Sequence, residues 1–253
     1  MGLKYTNVDR TEDPAFCIRF MDAMRSLPEV QAGRARAEAM VGLRSGIRVL
    51  ELGSGTGDQA RELALRVVPD GEVVAVDYSQ AMVSLATARH GESGLPLTFE
   101  QGDVCDLRFP AGSFDACWTE RMLCHLPDPS AALAEIARVL KPGGRLLAID
   151  GDATATVVDC GDPALSAAMV AAIAAQTEHP AMGRELPTRL GDAGFVDVAV
   201  HPYLCRLPDE MVAAMAVALR PVLIEAEAVA ADREGSSMTV PLLAVVGTKP
   251  PAT

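Results

Sequence analysis

The run 47–52 (IRVLEL) is apolar and β-branched, with one acid, Glu51, near its end. That pattern predicts a buried strand. Three glycines, Gly53, Gly55 and Gly57, then turn the chain, and Asp58 opens a helix reaching Val67 with Leu63, Ala64 and Val67 on one face. Pro69-Asp70-Gly71 is a turn. A second strand, 72–76 (EVVAV), ends at Asp77, and Ser79 caps a helix over 80–90. Residues 97–100 form a third strand, followed by Gly102-Asp103, and 114–118 (FDACW) a fourth. Asp128 and Pro129 are the N-cap and first position of a helix with Leu133, Ile136, Ala137 and Leu140 on its apolar face. Pro142-Gly143-Gly144 ends that helix, and 145–150 (RLLAID) is a fifth strand.

Short apolar strands alternating with amphipathic helices predict an α/β fold with a doubly wound, mostly parallel sheet. Beyond Asp150 the rhythm changes. The pattern predicts a loop and an Ala- and Met-rich helix over 163–176, a helix over 185–193, a sixth strand over 195–200, helical structure over 208–232 and a seventh strand over 241–248. The expected organisation is an N-terminal helical cap (1–44), a ligand-binding core (45–150), a helical lid insertion (151–187) and the C-terminal part of the sheet (188–253). In such sheets ligands bind at the carboxyl ends of the strands, so the residues just after each strand are the candidates.

Composition narrows the partners. The net charge is −12, from 34 acids against 22 bases. An acidic surface repels phosphate backbones, which argues against nucleic acid. The polar start MGLKYTNVDRTEDP has no apolar signal segment, and no run reaches the roughly 18 apolar residues of a membrane span. The six cysteines show no CxxC and no zinc spacing, so reduced thiols, a cytoplasmic location and no metal are expected.

The glycine loop then selects a ligand class. A dinucleotide loop reads G-x-G-x-x-G, but here Asp58 holds the sixth position. A carboxylate at a helix N-terminus repels pyrophosphate. A P-loop needs Gly-Lys-Ser/Thr, which is absent. A cationic ligand with a carboxylate tail and a ribose fits better: Glu51 and Asp58 face its ammonium group, and Asp77, about 20 residues past the glycines, takes the ribose hydroxyls.

Four stretches, VLELGSGTGD, VVAVDYS, EQGDVCDLRFPAGSFD and ARVLKPGGRLL, stand in the order and spacing of the class I S-adenosylmethionine-dependent methyltransferases, which this chain resembles over about residues 45–248. The likeness implies that Glu51, Gly53, Ser54 and Gly55 line the methionyl end of S-adenosylmethionine, with Gly57 closing the loop. It implies Asp77 at the ribose, Tyr78 and Met82 flanking the adenine, and Gly102-Asp103 meeting its amino group with the Val104 amide alongside. Thr119, Glu120 and Arg121 would reach the methionyl group. The amino-terminal YTNVDRTEDP…FMDAM resembles a bacterial branch acting on small molecules, in which this segment closes over the cofactor and Arg25 approaches the cofactor carboxylate.

Methyl transfer from a sulfonium releases a neutral thioether, so alignment matters most and a base serves only some acceptors. His125, in ERMLCHLPDP, follows the fourth strand and can take a proton near pH 7, or it can bond a neighbouring loop. Asp150 and Asp152 follow the fifth strand and face the same cleft; solvated loop acids, or Asp152 as a helix cap, are the structural alternatives. His179, in the lid sequence EHPAMG, can hold substrate or sit on the surface. His90 closes a helix near its C-terminus, where a histidine is favoured electrostatically, and has no catalytic role; His201, Tyr203 and the cysteines are read as packing. The favoured function is methylation of a small apolar or aromatic metabolite of the natural-product type. Two others stay open: a fold relative using the bound sulfonium for cyclisation or decarboxylation, and a catalytically silent partner subunit. Monomer and homodimer are both compatible, the latter through the apolar faces of 208–232.

Overall fold

The computed structural model describes Asp9, 14–219 and 237–252. Two N-terminal helices, α1 (Pro14–Ser26) and α2 (Pro28–Val41), precede β1 (Arg48–Leu52). Then follow α3 (Asp58–Val67), β2 (Glu72–Asp77), α4 (Gln80–His90), β3 (Leu97–Gln101), β4 (Phe114–Glu120), α5 (Pro129–Val139) and β5 (Leu140–Gly151). The remainder is β6 (Val157–Asp159), α6 (Pro163–Ala174), α7 (Met182–Asp192), β7 (Val196–Leu207), α8 (Asp209–Leu219) and β8 (Ser237–Thr248). The strands form one sheet in the order β3-β2-β1-β4-β5-β8-β6, with β7 paired to the other side of β8. The first five strands are parallel, and β6, β7 and β8 pair antiparallel to their neighbours.

Strand alternation divides the core. Val49, Val73, Ala75, Ala116, Trp118, Leu147 and Ile149 pack with Leu63, Ala64 and Val67 of α3 on one face. Leu50, Leu52, Val74, Val76, Cys117, Leu146 and Ala148 pack with Leu133 and Ile136 of α5 and Leu186 and Leu190 of α7 on the other. Both faces are covered, which is why these strands read as continuous apolar runs. A third cluster joins Met24, Leu27 and Val30 to Leu165, Met169, Leu207, Met238 and Leu242 beside the strand ends.

The seven expected strands are all present, and the caps hold: Ser79 Oγ accepts from the Met82 N–H, and Asp128 Oδ1 from those of Ser130 and Ala131. Differences concentrate where strand pairing overrides local signals. The fifth helix ends at Val139, before the Pro-Gly-Gly, because Leu140 already pairs with Phe114; residues 141–144 then bulge before Arg145 joins Ala116. An eighth strand, β6, forms within 151–187 by pairing with the start of β8, and three residues leave no periodicity to read. The α7 helix begins at Met182, ahead of the expected 185, and β7 runs on to Leu207 along β8. Of the helix expected over 208–232, Asp209–Leu219 is helical, and 220–232 lies outside the described residues.

Candidate active site

The C-terminal ends of β1, β2, β3, β4 and β5 open into one cavity of about 790 Å³. Pockets for a single drug-sized ligand span about 300–1,000 Å³, so this volume is that of a ligand site. The α1 helix contributes Phe20, Met21, Met24 and Arg25 to the wall, and the 173–180 segment closes the opposite side.

The glycine loop forms one end. Gly53, Gly55 and Gly57 all have positive φ, at 73°, 50° and 80°. Asp77 closes the loop: its Oδ2 accepts from the Gly55 N–H at 2.8 Å and its Oδ1 from the Ser79 N–H at 2.9 Å. Each carboxylate oxygen keeps a further lone pair for a ribose hydroxyl. Burial pushes the Asp77 carboxyl up, against the pull of those backbone donors. Tyr78 stands 62% exposed at the mouth, and Met82, Gly102, Asp103 and Val104 continue this wall. Asp103 Oδ1 accepts from the Cys105 N–H.

Glu51, Asp58, Asp77 and Glu120 line this end together. Burial, with the neighbouring acids adding to it, pushes Glu51 well up in spite of Arg34 nearby. Glu51 Oε2, Ser54 Oγ and Glu120 Oε1 are buried and have no hydrogen-bond partner among the described residues. Unsatisfied buried acceptors beside an excess of carboxylates fit a ligand that brings N–H donors and positive charge. The residues present therefore fit S-adenosylmethionine, whose amino-acid end carries an ammonium next to a sulfonium.

The helical cap supplies cations. Arg25 lies in the wall with its Nη2 3.4 Å from Glu62 and its Nη1 3.9 Å from Asp58. Asp58 also meets Arg89 at 3.2 Å and His90 at 3.2 Å. Asp58 is thus the centre of an ion-pair group pinning α1 to the glycine loop, and His90 has a partner that its helix-end reading lacked. Arg34, which sequence reasoning missed, reaches from α2 into the cavity and pairs with Glu120 Oε2 at 2.7 Å. The readable signal was its place on the apolar stripe Val30, Arg34, Ala37, Val41, where an unpaired charge would be expensive.

At the other end, Asp150 is buried in the wall, with Oδ2 accepting from the Cys124 N–H at 3.2 Å and Oδ1 from the Gly151 N–H at 3.2 Å. Burial pushes its carboxyl up to about 6. His125 sits beside it in the same wall; burial, with the charge of Arg121, pushes its imidazole down to about 4, so it is neutral at pH 7. His179 joins them because its N–H donates to the Cys124 carbonyl at 2.9 Å, and the Ala153 N–H donates to the Pro180 carbonyl at 2.7 Å. Beyond this patch the wall carries the apolar side chains Phe20, Met24, Ile173, Met238, Val240 and Leu242, with Thr156, Gln176, Thr177 and Glu178 beside them. Arg121 links the two ends, in a left-handed backbone (φ 51°) with its N–H donating to the Ile149 carbonyl.

Three expected site residues lie off the cavity wall. Thr119 has the strand parity of Cys117, so it points to the sheet face opposite Glu120. At Gly57 a Cβ would stand 2.7–2.8 Å from Ala86 and Phe99; glycine is there for the packing of α4 and β3. Asp152 caps the turn 153–155 and pairs with Arg184, whose Nη2 lies 2.9 Å from Oδ1, which is the structural alternative. The cysteines are free thiols, and no group of three metal-ligating side chains occurs among the described residues.

Residues 50–148 match the family described as methyltransferase domain. The chain is 37% identical over 183 residues to an uncharacterised 37.1 kDa protein in a transposon of Streptomyces fradiae, covering 72% of this chain and 51% of that one. It is 37% identical over 131 residues to the demethylmenaquinone methyltransferase of Lactococcus lactis, covering 51% and 52%. The chain thus spans about half the length of the curated relatives it matches. Among solved structures, phosphoethanolamine N-methyltransferase 2 of Haemonchus contortus in complex with S-adenosyl-L-methionine superposes with a TM-score of 0.65 at 19% identity, over 96% of this chain and 59% of that one. A parallel sheet ending in a G-x-G-x-G loop, a carboxylate on the loop's Gly55 amide and the match over residues 50–148 agree: this part of the chain is similar to methyltransferase domains.

Proposed function

We propose that the protein transfers a methyl group from S-adenosylmethionine to a small acceptor with an apolar or aromatic body, in natural-product or related tailoring. The observation that carries this reading is the single cavity with two unlike ends: orphaned acidic acceptors at the glycine loop and a group of apolar side chains past Asp150. Relatives named for quinone methylation support an acceptor of that kind.

The cofactor brings an electrophilic methyl on a sulfonium sulfur. The chain's own residues align and discharge the acceptor. Glu51, Glu120 and Ser54 hold the methionyl end, with Gly53, Gly55, Arg25 and Arg121 around it. Asp77 takes the ribose, and Tyr78, Met82, Gly102, Asp103 and Val104 the adenine. Phe20, Met24 and Leu242 exclude water from the acceptor. Asp150, ionised above about pH 6, accepts the acceptor's proton at its carboxylate. Neutral His125, with His179 of the lid, orients the acceptor oxygen or nitrogen by hydrogen bonding. The division into cap 1–44, core 45–150, lid 151–187 and C-terminal sheet 188–253 follows from the same reading. So do a cytoplasmic location, a monomer or homodimer, and the absence of nucleic-acid or membrane partners. No helix among the described residues is long and apolar enough to cross a membrane.

A labelled-methyl screen over phenols, quinols and amines tests the proposal. Cofactor-dependent product with one of them is expected. Cofactor binding with no transfer to any class, but conversion of an acceptor without methyl uptake, would favour the cyclisation or decarboxylation reading.

A further inference from the structure

Among the described residues, Arg34–Glu120 is the most deeply buried ion pair facing the cavity, with side chains 12% and 8% exposed. It joins the helical cap to the end of β4. Glycine makes the approach possible: a Cβ on Gly33 would stand 2.6–2.8 Å from the Tyr203 ring, so α2 lies flush on that ring only because residue 33 has none. The close seat carries Arg34, the next residue, to Glu120.

The two oxygens of Glu120 have different surroundings. Oε2 is held by Arg34 Nε at 2.7 Å, whereas Oε1 is buried with no hydrogen-bond partner among the described residues, and Arg121 Nε stands 3.8 Å from it. Glu51 Oε2, in the same wall, is orphaned too. Burial alone would push Glu120 up, but Arg34 and Arg121 outweigh it and hold this carboxyl below the usual range, so it stays ionised. An ammonium has three donors and needs several acceptors at once. Glu120 Oε1 supplies an ionised acceptor, provided Glu120 is turned inward, and the Glu51 carboxyl, pushed well up by burial, lines the same wall.

Resting on the reading of the cavity as a cofactor site, we propose that Arg34 is a positioning residue for the cofactor's α-ammonium: its ion pair with one oxygen of Glu120 holds the other oxygen turned into the cavity beside Glu51. Arg34 acts through Glu120, and its effect is confined to ligands that carry the amino-acid end. The cap thereby becomes part of the recognition of that end, because α2 must be seated on Tyr203 for Arg34 to reach.

The test is calorimetric titration of the full chain with S-adenosylhomocysteine and with 5′-methylthioadenosine, which keeps the nucleoside and thioether and lacks the amino acid. Arg34→Met should weaken the first by on the order of 10- to 100-fold, the loss expected for one charge-assisted hydrogen bond, and the second less than about twofold. Arg34→Lys should recover part of the loss, since a point charge replaces a fixed fork. Arg34→Met combined with Glu120→Gln removes the uncompensated buried charge. It should fold if the single variant does not, and show the same ligand-selective loss. Equal weakening of both ligands, or no weakening of either, in a variant whose unfolding temperature matches the parent would overturn the proposal. Failure of the unsubstituted protein to bind either ligand would instead overturn the cofactor reading, and this inference with it.

Discussion

Replacing Asp150 with Asn separates the buried charge from the shape that carries it. Asp150 is 1% exposed, and burial raises its carboxyl from 3.8 to about 6. An acid raised in the folded state binds protons more tightly there than in the unfolded chain. Its unfavourable effect is therefore absent below about pH 4, grows as pH rises towards 6, and is complete above that. The difference of about 2 units corresponds to about 3 kcal/mol, as an order of magnitude. Asn carries a neutral side chain at every pH. It also has one acceptor oxygen for two backbone donors, Cys124 and Gly151, so a pH-independent loss of about 1–3 kcal/mol accompanies the change. The diagnostic quantity is how the gap between the two proteins varies with pH. From pH 4 to pH 8 Asp150→Asn should gain about 2–3 kcal/mol relative to the parent, or roughly 5–10 °C in unfolding temperature. Thermal unfolding across that range measures it. A gap that is constant with pH, or that widens against the variant as pH rises, would refute the claim that Asp150 is held against ionisation. Turnover supplies a second readout: parent activity should rise through about pH 6, and the variant should lose roughly 10²- to 10⁴-fold if the carboxylate is the proton acceptor.

Three other outcomes follow from the same geometry. Asp77→Ala frees the Gly55 and Ser79 amides as well as losing the ribose contact, so S-adenosylhomocysteine affinity should fall by roughly 100-fold or more in calorimetry. Gly33→Ala should push α2 off Tyr203 and reproduce the ligand-selective loss of Arg34→Met, at a stability cost of about 1–3 kcal/mol; an unchanged affinity would disconnect the cap from the site. Leu242→Asp places a charge among the apolar side chains past Asp150, and acceptor turnover should collapse while S-adenosylhomocysteine binding, measured separately, stays within about threefold.

The elements that could be read from sequence are those whose local pattern and tertiary setting agree. The β1 strand is apolar because both of its faces are covered, and α4 begins at Ser79 because that hydroxyl caps it. The glycine loop was legible for the same reason, since Asp58 excluded the pyrophosphate alternative. What could not be read depends on long-range pairing. The early start of β5 comes from Leu140 meeting Phe114, and β6 exists only because β8 passes beside it. Within the site, strand parity decides that Glu120 faces the cavity and Thr119 does not, and a reading by proximity to the strand end cannot make that distinction. Arg34 lies 86 residues from Glu120, so no spacing in the sequence announced the pair. Asp152 looked equivalent to Asp150 until Arg184, from α7, was seen to hold it.

The central claim is that this cavity takes a sulfonium nucleoside. Calorimetric titration of the purified protein with S-adenosylmethionine and S-adenosylhomocysteine, with NADH as the control, tests it most directly, after denaturation and mass spectrometry of the supernatant have checked for co-purified cofactor. Dissociation constants on the order of micromolar are expected for both sulfur ligands, and no binding of NADH, because Asp58 stands where a dinucleotide loop has its third glycine. Binding of NADH alone, or of none of the three by protein shown to be free of cofactor, would contradict it.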